Sequence, residues 1–387
     1  FTKCVETWNG SKWIQTCPPE GPAESPEPLS AVQCVITPKE NSNPTYIAIF
    51  DPDAKYYEFF LKGVSQGVQS NNSITFKPEQ DASDVTVKYY YSPEFLKPKM
   101  IDVEGSDSWY YGEPPNATAN VTIDDFKMSR TEITQAQFEY VMGKNPSDFQ
   151  CGGNTHANTY ANQGNATSTL PVEYVNWYQA ITYCNKLSII EGKQPCYTVS
   201  TVTDWENLPY DDIPLEDRDT EWDKAMCDFS QNGYRLPTES EWEYAARGGK
   251  KMVQNQRYSG SDILCDVAWY TENNNTKTTC NGTASGIQGT KPVAKKIENE
   301  LELCDMSGNV LEWCWNWYSA SGTEYPAATP TGKVESIGST KKRVIRGGYW
   351  ISTASYCPVS YRDTEGNSPY ERTYYRGFRV AASIIKE

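Results

Sequence analysis

Residues 343–379 read RVIRGGYWISTASYCPVSYRDTEGNSPYERTYYRGFR. Two stiff bookends, Arg346-Gly347-Gly348 and Arg376-Gly377-Phe378-Arg379, enclose a stretch dominated by Tyr, Ser, Thr, Asn and Asp. The stretch holds too little aliphatic material for a core and too many aromatic rings for an ordinary solvated loop. Tyrosine supplies large, rigid, amphipathic contact area at low entropic cost, and small polar residues supply adaptable hydrogen bonds. That is the composition of an antibody-like contact surface. The competing reading is a buried strand pair with Trp350, Ala354, Val359 and Phe378 on its inward face.

Working outward, the chain has 387 residues, enough for two domains and a large core. Its 35 basic and 50 acidic side chains give a formal charge of −15. So acidic a surface repels phosphate backbones and anionic lipid heads, which argues against nucleic acid as a partner. No apolar run approaches the length of a membrane helix, so no membrane insertion by the visible chain is expected. The start at Phe1 rather than Met points to a processed end from which a signal or lipid anchor was removed. An exported protein, held at the cell surface and lipid-anchored through that removed segment, is the corresponding expectation.

The 12 cysteines include no C-x-x-C pair, which disfavours a zinc ribbon or a thioredoxin-like centre. Their even number permits disulfides, as suits an exported protein, but spacing leaves the pairing open. Cys184 falls on an apolar helical face and reads as a small buried side chain. The single histidine, His156, lies in an Asn/Thr/Gly-rich loop and cannot build a multi-histidine metal site.

Residues 1–96 read as a small β-rich, sandwich-like module of unassigned role. Strand-like runs at 5–8 and 12–15 flank Asn9-Gly10, a hairpin turn signal, and further runs fall at 31–36, 46–50, 57–61, 73–76 and 85–91. Residues 97–387 have a different texture. Thr134-x-x-Gln137 and Thr238-x-x-Glu241 are capping boxes that open helices, the first stopped by Gly143 and the second by Arg247-Gly248-Gly249. Asn176 caps a further helix, in which Trp177, Ala180, Ile181, Cys184 and Leu187 fall at helical spacing. Helices followed by loop-rich β structure make the fold class α+β.

Six motifs then occur in order: FKMSRTEI at 126–133, LPVEYVNW at 170–177, YRLPTESEWEYAAR at 234–247, DMSGNVLEW at 305–313, RGGYW at 346–350 and GFRV at 377–380. Together they resemble the formylglycine-generating-enzyme class of the C-type-lectin fold, also called the sulfatase-modifying factor domain. The resemblance implies helices packed on a small antiparallel sheet over 97–387, preceded by the separate β-rich module. Enzymes of that class are copper-dependent oxidases with two active-site cysteines just after the Gly-Gly pair. Here the second position is Cys357 but the first is Ser352. Copper(I) wants soft thiolates, and a serine hydroxyl is hard and protonated, so no copper and no oxidase activity are expected. Relatives that make sulfur–carbon bonds use several histidines on iron, which His156 alone cannot supply.

The same resemblance implies a structural Ca²⁺ held by Asp305, Gly308, Val310 and Glu312, hard oxygen donors in a tight turn. The class's other calcium position needs an Asp where this chain has Ser285. A second branch of the fold uses the scaffold for binding: the variable proteins of diversity-generating retroelements, whose variable codons are rewritten at adenines. Their frame matches Gly347, Gly348, Trp350, Ala354, Val359, Arg362, Pro369, Arg372 and Gly377-Phe378-Arg379 in register. Between these lie Ile351, Ser352, Thr353, Ser355, Tyr356, Tyr361, Asp363, Thr364, Gly366, Asn367, Tyr370, Thr373, Tyr374 and Tyr375, all reachable from such codons, whereas Glu365 and Glu371 are not. Tyr349, where the frame usually has Ser, departs from it and joins the variable set. The expected function is a non-catalytic, receptor- or adhesin-like protein whose segment 347–379 binds a macromolecular or glycan ligand. The alternatives are a fixed-specificity exported binding protein of the same fold and an oxidase working through Cys357.

Overall fold

A computed structural model describes residues 5–8, 13–16, 27–28, 53–61, 63–70, 85–111, 119–149, 167–274, 288–318, 341–363 and 367–385. His156, Ser285, Thr364, Glu365, Gly366, the Asn9-Gly10 turn and the runs 31–36, 46–50 and 73–76 lie outside the described residues. The chain divides into two compact units. One comprises Phe1–Lys97 with Asp148–Ser168, and the other Pro98–Ser147 with Thr169–Glu387.

In the first unit β1 (Val5–Trp8) and β2 (Trp13–Thr16) pair antiparallel. Strands β3 (Glu27–Pro28), β4 (Tyr56–Leu61), β5 (Val64–Gln69) and β6 (Val85–Tyr91) form one antiparallel sheet in the order β3-β6-β4-β5. Alternation places Tyr57 and Phe59 of β4 and Tyr89 and Tyr91 of β6 inside, with Tyr57 meeting Tyr89 edge-on at 6.0 Å. Among the described residues this unit is one sheet with a hairpin, rather than two facing sheets.

The second unit begins with β7 (Met100–Val103), the hairpin β8 (Ser106–Tyr111) and β9 (Ala119–Ile123), and β10 (Phe126–Ser129). Helix α1 (Gln135–Met142) starts at the Thr134–Gln137 capping box and stops at Gly143 with φ 71°. Helix α2 (Trp177–Ile190) is capped by Asn176 and Gln179 in the same reciprocal way, and its Trp177, Ala180, Ile181, Cys184 and Leu187 are fully buried. The short strand β11 (Tyr197–Thr198), the one-turn helix α3 (Thr220–Asp223), β12 (Met226–Cys227) and β13 (Tyr234–Arg235) lead to α4 (Glu239–Ala246), opened by Thr238 and Glu241. Strands β14 (Leu311–Trp317), β15 (Arg343–Arg346), β16 (Arg376–Gly377) and β17 (Ala381–Ser383) follow.

These strands form two sheets, β13-β17-β10-β7 and β15-β14-β16, with β16 parallel to β14 and the other pairs antiparallel. Successive side chains point to opposite faces; β14 and β15 are buried on both, while β10 and β7 turn Lys127 and Asp102 to solvent. Trp313, Ile345 and Val380 join α1 and α2 in one apolar cluster, while Cys314, Val344 and Ala381 join Trp242 and Ala245 of α4 in another. The arrangement is α+β, and it leaves the chain between β15 and β16 as a long excursion fixed at both ends.

Candidate ligand-binding site

The excursion begins with two left-handed glycines, Gly347 (φ 102°) and Gly348 (φ 75°). A Cβ on Gly348 would stand 2.9 Å from both the Cys357 Sγ and the Tyr356 carbonyl oxygen, so only glycine lets the chain fold back here. At the far end a Cβ on Gly377 would meet the Val172 carbonyl at 2.3 Å. Trp350 and Phe378 are buried, the latter against Phe138 and Tyr183. The bookends are therefore framework.

Between them the path is held mainly through its own main chain. The Trp350 N–H donates to the Asn309 carbonyl at 2.9 Å. Framework donors reach carbonyls of the segment: Trp177 N–H to Pro369 at 2.8 Å, Tyr174 N–H to Thr373 at 3.0 Å, and Leu311 N–H to Tyr375 at 2.9 Å. Asn176 Nδ2 donates to the Tyr370 carbonyl, and Arg346 Nη2 to that of Val359 at 2.7 Å. A carbonyl is present whatever side chain its residue carries, so these bonds do not depend on the identity of the residues they pin.

The segment's arginines supply the remaining anchorage. Arg362 makes a two-pronged ion pair with Glu239 (2.6 and 2.8 Å), and Arg346 reaches both Glu239 and Glu243 of α4. Arg372 pairs with Glu216 and lies over the ring of Tyr174. Arg379 is fully buried, with Nε and Nη2 on the Glu312 carboxylate and further bonds to the Ser129 and Cys304 carbonyls. Arg343, beneath the segment, is sandwiched between Trp177 and Trp317 at 3.6 Å from each ring.

The side chains expected to face a ligand separate into two groups. Ile351, Thr353, Ser355 and Tyr356 are exposed, while Tyr349, Tyr361, Asp363, Tyr370, Thr373, Tyr374 and Tyr375 are half-buried at the surface. Rings run in series from Trp350 through Tyr374 and Tyr375 to Tyr349, which stacks on Tyr375 at 4.3 Å; Tyr356 and Tyr361 form a second pair at 5.1 Å. Ser352 and Asn367 are corrections, because both point inward. Ser352 Oγ accepts the Tyr349 N–H, and the Ser352 carbonyl accepts the Thr271 N–H. Asn367 exchanges two backbone bonds with Arg343, and its Oδ1 accepts from Arg376. Thr364 and Gly366 fall outside the described residues. Trp315, in β14 just after the Asp305 turn, is core, its ring tilted against those of Trp177 and Tyr197.

Sequence reasoning missed Tyr174, which is 37% exposed beside Thr373 and adopts φ 63°, unusual for an aromatic residue. It also missed Glu239 and Glu243, fully buried acids one turn apart on α4. Locally Glu243 is answered by Arg247 one turn on, and nothing in the neighbouring sequence marks Glu239 and Glu243 as partners of Arg346 and Arg362.

At the oxidase position, Cys357 is buried with its Sγ toward the Thr353 carbonyl, and burial pushes the thiol up to about 12. Ser352, at the first cysteine position, spends its hydroxyl on the Tyr349 amide, and Cys265 in the same cluster is disulfide-bonded. A protonated thiol beside a serine is a poor donor set for copper(I).

At the turn expected to hold calcium, only part of the expected donor set is available. Asp305 Oδ2 accepts the Ala294 N–H at 2.7 Å, while Oδ1 is buried with no hydrogen bond. Glu312 is a correction: Oε1 and Oε2 take the Arg379 guanidinium and Oε2 also takes Trp242 Nε1 at 2.7 Å, so this carboxylate is already committed. Glu132, not expected from sequence, completes the acidic group by accepting the Val310 N–H and Asn309 Nδ2. Burial and the neighbouring Asp305 and Glu312 carboxylates push Glu132 well above the usual carboxylate range, and burial brings Asp305 up to about 6.

With this geometry in view, comparisons with known proteins are informative. A solved structure of Treponema denticola variable protein 1 superposes with a TM-score of 0.60 at 36% identity, over 74% of this chain and 95% of that one. Chaperone protein LppX of Paenibacillus barcinonensis is 38% identical over 273 residues, 68% of this chain and 82% of the relative. The formylglycine-generating enzyme of Thermomonospora curvata is 27% identical over 312 residues, 76% of this chain and 96% of the enzyme. The fold is the C-type-lectin fold of the formylglycine-generating-enzyme class. Residues 91–384 match the sulfatase-modifying factor enzyme 1-like domain, and the chain belongs to that family.

Proposed function

We propose that the second unit is a non-catalytic binding module whose 347–379 segment presents a ligand-binding face open to diversification, like that of retroelement variable proteins. The observation that carries this reading is the anchorage of the segment through its carbonyls, which lets side chains change while the path stays. Substitution at such exposed positions usually costs less than about 0.5 kcal/mol. Tyr356, Tyr361, Tyr370, Tyr374 and Tyr375 are the expected hot spots, with Ile351 and Tyr349 beside them. Protein or glycan is the expected ligand class.

The test is a library randomised at Ile351, Thr353, Ser355, Tyr356, Tyr361 and Tyr374, displayed and selected against an unrelated purified protein. Folded binders whose affinity depends on those positions are expected; general unfolding of the library would sink the reading. Natural variability has its own signature: a downstream copy of the 347–379 codons differing at adenines, next to a reverse transcriptase gene. Titration with copper(I) in the presence of oxygen and a cysteine peptide should give no turnover, and stoichiometric copper with oxygen consumption would restore the oxidase.

A second reading is a fixed-specificity exported binding protein, supported by the likeness to a protein named as a chaperone. The Cys265 disulfide supports export, and attachment at the cell surface by a lipid is part of the same proposal. A calcium ion at the Asp305 turn would use Asp305 Oδ1 with the Gly308 and Val310 carbonyls, and would supply charge balance to the buried acids. Added Ca²⁺ should then raise the melting temperature of the wild type but not of Asp305→Ala.

A further inference from the structure

The excursion between β11 and β12 carries a thiol pair that neither the binding face nor the Asp305 turn uses. Tyr197 is opposite Cys227 in this two-stranded ribbon, and the Asp228 N–H donates to the Cys196 carbonyl at 2.8 Å. Cys196 and Cys227 therefore stand diagonally across the end of the ribbon, and both turn into the same apolar cluster. Both are buried and unbridged. Cys265 is already disulfide-bonded, so the chain is one that carries cystine. We propose that Cys196 and Cys227 close as a further disulfide in the mature protein, stapling this excursion to the core.

The step is an exchange with an external disulfide, either a small molecule or a thiol oxidoreductase. The Cys196 thiolate attacks one sulfur of the oxidant and expels a thiolate; the Cys227 thiolate then attacks the Cys196 sulfur and expels the second. Two protein thiols lose two protons and two electrons, and the oxidant leaves as two thiols. In the finished fold burial pushes the Cys227 thiol well above its ordinary value, and the nearby Arg235 guanidinium offsets only part of that. Because both side chains are covered in the finished fold, the exchange belongs to assembly, before the ribbon closes.

The staple holds a wall beside the binding face. Between the two cysteines the chain sends Trp205, Ile213 and Trp222 into the core, offers the Pro214 carbonyl to Asn176 Nδ2 at 2.7 Å, and carries Glu216, the partner of Arg372. Asn176 is the same residue that caps α2 and donates to the Tyr370 carbonyl. Closing the ribbon thus restrains groups that position the segment.

The test is peptide mapping of the full chain secreted into an oxidising compartment, denatured without reductant in the presence of an alkylating agent. The expected result is a cross-linked pair of peptides containing Cys196 and Cys227, separated by reductant, with Cys184 and Cys357 alkylated. In Cys196→Ser, Cys227 should become alkylatable. Alkylation of both cysteines in wild-type protein whose Cys265 is cross-linked would overturn the proposal, as would a bridge from either cysteine to Cys184.

Discussion

Arg379 and Lys291 show two fates of a buried cation in this domain. Arg379 meets Glu312 through two prongs, and the pair is sealed from water. Arg379→Met would leave the carboxylate without its cation, and unfolding in denaturant should show a loss of about 3–5 kcal/mol. Lys291 places Nζ on Asn274 Oδ1 and the Gly289 carbonyl, and burial pushes its amine down to about 7. The unfolded chain then binds more protons than the native one between about pH 7 and the ordinary lysine pKa of about 10.4. Stability from this residue is full above that window and is lost as the pH falls through 7. Lys291→Met should flatten the rise of melting temperature with pH, and an unchanged slope would contradict the assignment. At this scale the arginines of the frame were legible, because their spacing matches a known pattern. Their acidic partners Glu239 and Glu243 were not, because an ion pair across more than a hundred residues leaves no local trace.

Helices were the legible elements. Thr134, Asn176 and Thr238 each sit three residues before a Gln or Glu, and each makes the reciprocal bonds that such a spacing allows. Thr238→Ala should cost about 1 kcal/mol of stability, the usual worth of such a cap, by thermal or denaturant melts. The two-residue strands β11, β12, β13 and β16 were not legible, since a period of two cannot be read from two residues. The same limit explains the errors within the binding segment. Ser352 and Ser355 look alike in the sequence, but a turn carries one inward to the Tyr349 amide and leaves the other at the surface. Ser352→Ala should therefore lose about 1–2 kcal/mol by stranding that amide, and Ser355→Ala less than about 0.5. Equal effects would mean that the turn is wrongly drawn.

The whole second unit is a framework with buried charge inside and aromatic rings on one flank. Strands β14 and β15 are covered on both faces, which explains why their sequences lack a polar alternation and why the motifs at 305–313 and 346–350 read as signatures rather than as strands. The resemblance made the architecture legible well before any strand could be drawn. It also carried Glu312 into the calcium set, where the local arrangement commits it to Arg379 instead. The hydrogen bonds to the Pro369, Tyr370, Thr373 and Tyr375 carbonyls have a consequence for how such a face can evolve. Each donor is fixed in space and meets the chain at a set count of residues from the next. Inserting or deleting one residue between Asn367 and Arg376 would slide every later carbonyl off its donor. Any diversity on this surface would have to come from letter changes at constant length, unlike antibody loops that grow and shrink.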